Sequence, residues 1–395
     1  LLLCIQVVQM CWDNQLYDAM IYVFNRGMND YINPMEKLFQ VIGPPLREGK
    51  ALTDEQVVMG NKLLVYISCS LAGRAYPLGD IPEDLVSQVK NQVFEFLIRL
   101  HSAEAGQEEE LYPYIRTLVH FDTPEFLNVL ALTFEDFKND KQALEYQQRI
   151  VDILLKVMVE NSEFTPSQVG CLFTFLARQL AKPDNTLFVN RKLFDQVLEF
   201  LCSPDDDSRH TERQQVLLEL LQVGGVVQFD EGRLLGLAEK AEFYQICEFL
   251  YEQKHLYDKV LDCYLRDPLR KEEIFNYIHN LLSMPGYSSE EKHCVWDAAL
   301  LHIAELVTLD PAKSADLVAM HFPEEVRPII TRLQDDLLVF QFLRCLLDQR
   351  EGPNPQALLR LSPDLHELHI GLLCRFGPRQ LTDFLKASQD YRLEE

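Results

Sequence analysis

Three short stretches carry residue types that could do chemistry. His366-Glu367-Leu368-His369 holds two imidazoles and a carboxylate, the ligands and base of a zinc hydrolase. That chemistry needs histidines at i and i+4 on one helix face, with the glutamate beside the first. Here the spacing is i,i+3, so the stretch reads as two histidines on a solvent-facing helical surface. His293-Cys294 pairs two metal-ligating types, but adjacent helical residues point to different faces and cannot chelate alone. Asp205-Asp206-Asp207 offers oxygen ligands for calcium. No glycine follows at the sixth loop position and no glutamate at the twelfth, so a solvated loop is the better reading. GxxxxGK[ST], GxGxxG and GxSxG are all absent, which removes phosphate loops and nucleophile elbows.

Composition narrows the classes further. The chain has 395 residues, 47% hydrophobic and 25% charged, enough to bury a large core. A formal net charge of −24 with no run of five Lys or Arg argues against broad binding of nucleic acid or anionic lipid. The ten cysteines include no Cys-x-x-Cys pair and most fall within apolar helical stripes, a cytosolic, reduced pattern. No apolar run approaches the ~18 residues of a membrane span. The opening LLLCIQVVQM lacks a basic region and a cleavage site, and reads as a helix cut from a longer protein.

The elements that would position any partner are helical. Ala238–Asp267 contains two short amphipathic helices: Phe243, Ile246, Cys247 and Leu250 make one stripe, and Leu256, Val260, Leu261 and Tyr264 the next. The polar break Glu252–His255 leaves room only for a tight turn, predicting an αα-hairpin that cannot bury its apolar face alone. Leu16-Tyr17-Asp18 aligns with Leu256-Tyr257-Asp258 at a common offset, and Arg26 with Arg266. A weaker third copy runs over Phe126–Leu155. Self-similar hairpins predict an all-α fold, an α-solenoid of stacked antiparallel helical hairpins. The aromatic residues of these stripes, with no interleaved Arg or Lys, read as core. A tyrosine opening the second helix can wedge between neighbours with its hydroxyl at the surface. Asp258, just after Tyr257, suits the positive end of that helix.

Helix punctuation is regular. Asn33-Pro34, Thr123-Pro124, Thr165-Pro166, Asp267-Pro268, Asp310-Pro311 and Ser362-Pro363 each place a capping residue before a proline that can open a helix. The periodicity predicts helices over 1–12, 15–26, 34–42, 54–72, 83–101, 108–120, 124–137, 141–161, 166–181, 190–202, 208–222 and 230–240. The hairpin follows, then 268–283, 289–308, 311–321, 324–333, 335–349, 363–376 and 378–388. Gly43, Gly73 and Gly377 stand where a left-handed residue would end a helix. Val223–Phe229 reads as a loop. A soft division there separates an N-terminal solenoid part, 1–222, from a C-terminal part, 223–395.

The pattern AExxxFYQICEFLYEQKHLYDKVLDCYLRD resembles a clathrin heavy chain repeat of the kind found in the large subunits of the CORVET and HOPS tethering complexes. Leu309–Leu333 with the following LLVFQFLRCLLDQR, and Pro363–Glu395, are similar to later segments of those solenoids. Cys11–Phe39 is similar to the CORVET-specific subunit. The resemblance implies a structural scaffold segment of an endosomal tethering complex, with no enzymatic activity, supporting Rab-dependent vesicle tethering and early endosome fusion. It implies class C core subunits and other CORVET subunits as partners, and an early-endosomal Rab GTPase through the full-length protein. Membrane contact would be indirect and the location cytoplasmic, peripheral on early endosomes. No cofactor is implied for this segment: the family's zinc-binding RING, like its β-propeller, is expected only outside it. A HOPS or class C core subunit, or a clathrin-like coat leg, is the alternative. The residues expected to anchor the repeat are Leu16, Tyr17, Asp18, Phe243, Leu250, Leu256, Tyr257, Asp258 and Tyr264.

Overall fold

Side chains that cap helices fix where seven of the helices begin. Thr53, Thr165 and Ser288 each accept a hydrogen bond from the backbone N–H three residues on, and the Gln56, Gln168 and Glu291 side chains bond back to the capping backbone. Asp122, Asp140, Asn190 and Asp310 cap without the reciprocal bond. Such caps satisfy N–H groups that the first helical turn leaves unpaired.

The computed structural model describes residues 1–136, 140–161, 163–203, 209–223, 229–347 and 363–377. Contacts group the chain into two units, 1–230 and 231–395. The first holds α1 (Leu2–Asp13), α2 (Tyr17–Tyr22) continuing into a π-helical turn at Val23–Gly27, α3 (Asn33–Arg47), α4 (Asp54–Leu71), α5 (Glu83–Leu97) and α6 (Pro113–Phe121). It continues through α7 (Thr123–Glu135), α8 (Lys141–Met158), α9 (Pro166–Leu180), α10 (Arg191–Leu201) and α11 (His210–Gln222). The second holds α12 (Glu231–Lys240), α13 (Tyr244–Gln253), α14 (Tyr257–Arg266), α15 (Ile274–Ser283), α16 (Ser289–Leu301) and α17 (Ile303–Leu309). It ends in α18 (Pro311–His321), α19 (Val326–Arg332), α20 (Asp336–Leu347) and α21 (Pro363–Phe376). Among the described residues the only β pairing is a single bridge between Arg74 and Asp80.

The fold is an all-α solenoid. In the first unit α1 packs on α2, α3 on α4 and α6, α4 on α5 and α7, and α9 on α7, α10 and α11. In the second unit α12, α13 and α14 pack in succession, α14 and α15 on α16, α18 on α15, α17 and α20, and α20 on α21. Each helix meets neighbours close in sequence, the contact pattern of stacked repeats. The core follows the 3.6-residue period. In α8, Ala143, Tyr146, Ile150, Leu154 and Val157 form one buried stripe. Full burial of each such aliphatic or aromatic side chain contributes about 1.5–3 kcal/mol. In α6, every residue from Pro113 to Val119 is buried, so this helix is enclosed all round. Its Arg116 guanidinium bonds Glu110 and Glu163, both at 3.0 Å.

Two glycines let helices meet an aromatic ring. A Cβ at Gly60 of α4 would lie 2.3 Å from the Phe121 ring, and one at Gly170 of α9 would lie 2.5 Å from Phe200. Side-chain-free positions here admit the ring that packs the adjacent helix.

Several expectations change. Gly43 does not end a helix: α3 runs through it and Pro44-Pro45 to Arg47, and Gly43 is buried facing Thr117 of α6. Gly73 does take the left-handed conformation, at φ +76°. Asn33 and Thr123 are not caps. Asp30 accepts from the Ile32 and Asn33 N–H groups, Asp122 caps α7, and the Thr123 hydroxyl turns back to the Val119 carbonyl at 2.7 Å. Asp267-Pro268 opens a turn instead of a helix, because Asp267 bonds the Leu269 N–H at 3.0 Å, and α15 starts only at Ile274. The expected helix 289–308 breaks at His302. The third hairpin copy does not pair as such, since α7 packs on α4 and α9, and α8 on α6. Most cysteines are not core: all ten are free, with Cys11, Cys202, Cys247 and Cys263 buried and Cys294 and Cys374 exposed. Asp205–Asp207, most of Val223–Phe229, Ser362 and the helix expected over 378–388 lie outside the described residues.

Candidate interaction surfaces

The repeated Leu-Tyr-Asp triplets sit on the same local structure. After α13, His255 adopts φ +58°, its N–H bonds the Glu252 carbonyl at 3.0 Å, and the Leu256 N–H bonds the Tyr251 carbonyl at 3.0 Å. After α1, Gln15 adopts φ +57°, with bonds from Gln15 to Trp12 at 3.1 Å and from Leu16 to Cys11 at 2.8 Å. After α12, Glu242 adopts φ +57°, with bonds from Glu242 to Glu239 at 3.2 Å and from Phe243 to Ala238 at 2.9 Å. All three are Schellman closures, and the residue after each left-handed position leads directly into the next helix. The left-handed position is filled by Gln, Glu or His, although glycine would carry no steric penalty there.

This geometry sorts the expected anchors. Phe243 and Leu250 are each 1% exposed, and Tyr257 and Tyr264 are buried. Leu16 is 56% exposed and Leu256 37% exposed, so neither is core. Both lie in the linker with non-helical backbone, outside the stripe that the i,i+4 spacing to Val260 suggested. Asp258 is exposed in the first turn of α14, whereas Asp18 accepts from Lys62 Nζ at 2.7 Å and from the Tyr76 hydroxyl at 2.8 Å. Burial pushes the Asp18 carboxyl up, but the Lys62 and Tyr76 bonds and the Lys62 charge outweigh it and hold it below 3.8.

Sequence reading missed how often a tyrosine hydroxyl is tied to a glutamate on a neighbouring helix. Tyr17 bonds Glu55 at 2.7 Å, Tyr146 bonds Glu95 at 2.9 Å, Tyr251 bonds Glu239 at 2.7 Å and Tyr264 bonds Glu248 at 2.9 Å. Partial burial, helped by the Glu55 acceptor, pushes the Tyr17 phenol up to about 12. Tyr257 instead meets His255 Nδ1 at 3.0 Å and Tyr287 edge-on at 5.7 Å. Burial and then the Glu291 charge push its phenol up to about 12. Each ring fills the gap between helices while its oxygen reaches a carboxylate at the rim. The available signal was a tyrosine within an apolar stripe whose neighbouring helix carries a glutamate.

The candidate catalytic stretches do not assemble. Among the described residues no three His, Cys, Asp or Glu side chains are placed to hold a metal. His366 is exposed, but His369 is 2% exposed and stacks on Phe340, a correction to the solvent-facing reading. His369 shares its face with buried Leu365, Leu372 and Leu373. His293 and Cys294 are exposed, with His293 beside Asp297 at 3.6 Å. Three concavities among the described residues are small or open: about 140 Å³ beside Glu36 and Tyr114, about 150 Å³ between α7, α9 and α11, and an open trough of about 530 Å³ along Phe340 and Phe376. The two smaller ones are below the ~300–1,000 Å³ of small-molecule sites and match single inserted side chains. These surfaces suit protein contacts. Among the described residues no helix is long and apolar enough to cross a membrane.

Comparison with known proteins adds to this geometry. A family model described as Vps8 central TPR matches residues 4–134. Over 390 residues the chain is 75% identical to the human vacuolar protein sorting-associated protein 8 homolog, covering 98% of this chain and 27% of that protein. The chain belongs to the Vps8 family. The Drosophila melanogaster homolog is 32% identical over 398 residues, covering 98% of this chain and 30% of its own. The Saccharomyces cerevisiae Vps8 is 25% identical over 305 residues, or 71% of this chain and 24% of that protein. The chain therefore spans about a quarter to a third of the length of these relatives. The Vps8 central TPR match covers α1 to α7 almost entirely and includes the Tyr17–Glu55 and Asp18–Lys62 ties.

Proposed function

We propose that this chain is a scaffold segment of a CORVET-type tethering subunit, holding other subunits at fixed spacing during early endosomal vesicle capture and fusion. The observation that carries this reading is the 75% identity, over 98% of the chain, to a human vacuolar protein sorting-associated protein 8 homolog. The all-α stack of short helices supports it, because stacked repeats present long series of helix faces to partners. The partners are class C core subunits and the other CORVET subunits. An early-endosomal Rab GTPase engages through the full-length protein, and membrane contact is indirect, from the cytoplasm. The work of the segment is geometric and not enzymatic.

The test uses full-length protein in cells. Removing residues 1–395 should release the class C subunits on co-purification and disperse clustered early endosomes. A solenoid of equal length but unrelated sequence should restore spacing without restoring subunit binding. Retention of both clustering and co-purification after the deletion would overturn the proposal.

A further inference from the structure

His279 on α15 and His321 at the end of α18 are both half-buried, and Nδ1 of the first lies 3.0 Å from Nε2 of the second. The ring centroids are 5.2 Å apart, close to the gap between the nitrogens plus the two ring radii, so the nitrogens point almost straight at each other. Such a bond is a single N–H···N and holds one proton. With both rings neutral, one donates and the other accepts. With one ring charged, the bond persists and is charge-assisted. With both charged, two N–H groups and two positive charges confront each other, and no lone pair is left to accept.

Nothing nearby offsets that second charge. Among the described residues neither imidazole meets a carboxylate. Five other histidines each lie within 3.7 Å of one. The charged groups of the packed elements are engaged with one another. Lys313 of α18 lies 3.9 Å from both Glu272 and Asp310, and His302, at the α16–α17 break, lies 3.0 Å from Asp262 of α14 and 3.2 Å from Glu305 of α17. On α16 His293 faces Asp297, on α20 Asp336 holds Arg375, and Glu324 in the turn after α18 is exposed. Burial and the His279 charge hold the His321 ring below its ordinary 6.5.

We propose that this pair is an acid-released latch between α15 and α18, closed while the two rings share one hydrogen bond and open once each carries its own proton. α15 packs on α14 and α16, and α18 on α17 and α20, so the latch joins one group of helices to the next within the second unit. Beside His321, Phe322 is 1% exposed and meets the Trp296 ring of α16 edge-on at 4.6 Å. Driving His321 away from His279 draws Phe322 off Trp296 and loosens the step between the two groups. The unfolded chain takes up the His321 proton first, so the contribution is full above 6.5 and is lost as pH falls through the lower folded value. The inference concerns this contact alone and is independent of the tethering role.

The experiment measures acrylamide quenching of Trp296 in the intact 395-residue chain, with Trp12→Phe removing the other tryptophan. The titration runs from about pH 7.5 to about 5.5, the range in which histidine gains its proton. The expected result is a rise of about two- to fivefold in the quenching constant on acidification, as local opening uncovers the ring. His279→Gln and His321→Gln each keep a neutral hydrogen-bonding side chain but admit only one charge, so both should abolish the rise. A purely packing role for either ring would instead offset the variant at every pH and leave the rise in place. His302→Gln, which leaves the pair intact, should titrate like the parent. If His321→Gln fails to fold, His279→Gln carries the test. Three results would overturn the proposal: no rise in the parent chain, a rise retained in the glutamine variants of the pair, or a rise lost in His302→Gln.

Discussion

Tyr264 donates its hydroxyl to Glu248 Oε1 at 2.9 Å across the α13–α14 hairpin, and Arg270 holds Oε2 of the same carboxylate at 2.9 Å. The Arg270 guanidinium also lies 4.9 Å from the Tyr264 ring centroid. One carboxylate thereby joins two helices and the turn that follows them. Glu248→Ala should cost about 1–3 kcal/mol, because it leaves both donors partly desolvated and without that acceptor. Glu248→Leu with Arg270→Met should recover much of the loss, since no charge is then left behind. Urea unfolding of the four-member cycle checks this, and a double variant no better than the sum of the singles would refute it.

Asp18 and Glu248 should respond to pH with opposite signs. The Asp18 carboxyl is held below its ordinary 3.8, so its contribution is full above that value and is lost as pH falls through the lower folded value. Burial pushes Glu248 above its ordinary 4.5, with Arg270 pulling the other way. The folded chain then holds that proton longer than the unfolded one, and stability falls as pH rises from 4.5 through the folded value. Asp18→Asn should cost about 0.5–1 kcal/mol at neutral pH, a small figure because the pair is half exposed. The cost should vanish in acid. Denaturant midpoints of wild type and Asp18→Asn, followed from pH 7 downwards, should converge, and parallel curves would contradict the assignment.

Leu250 and Leu256 separate core from linker within one hairpin. Leu250→Ala should cost about 2–5 kcal/mol through the cavity it opens. Leu256→Ala, at a position 37% exposed, should cost less than about 1 kcal/mol. Equal thermal shifts would mean that the linker leucine carries more packing than its exposure indicates.

Gln15 and Glu242 occupy left-handed positions that glycine fills without steric strain. Gln15→Gly and Glu242→Gly should each be neutral or stabilising by up to about 1 kcal/mol, the relief of left-handed strain less the entropy glycine gains on unfolding. Gln15→Val should destabilise, because a β-branched residue resists positive φ. Melting temperatures of the three variants give the order directly.

Gly60→Ala should destabilise despite alanine's better helix propensity, because its methyl would enter the Phe121 ring at 2.3 Å. Pairing it with Phe121→Leu should restore part of the loss. A stabilised Gly60→Ala single variant would show that the ring swings away freely.

Periodicity made the helices legible because burial on one face repeats every 3.6 residues, and α13, α14, α18 and α21 begin and end close to where that period begins and ends. Linkers were less legible. Leu256 keeps the i,i+4 spacing to Val260, yet its backbone lies outside the helix, and spacing alone does not report φ and ψ. The cap-proline signal at Asp267 failed for a different reason: an aspartate can bond the N–H two residues on and make a turn instead of a cap. Gly43 shows a third limit, since a glycine buried inside a helix looks in sequence like one that ends a helix.

The three Schellman linkers are closed by main-chain bonds, and their left-handed residues are glutamine, glutamate and histidine. A hinge pin made of peptide groups places little demand on the letters written over it. Mutations could accumulate at these corners for a long time while the angle between successive rods stayed the same, so drift in spelling need not become drift in shape.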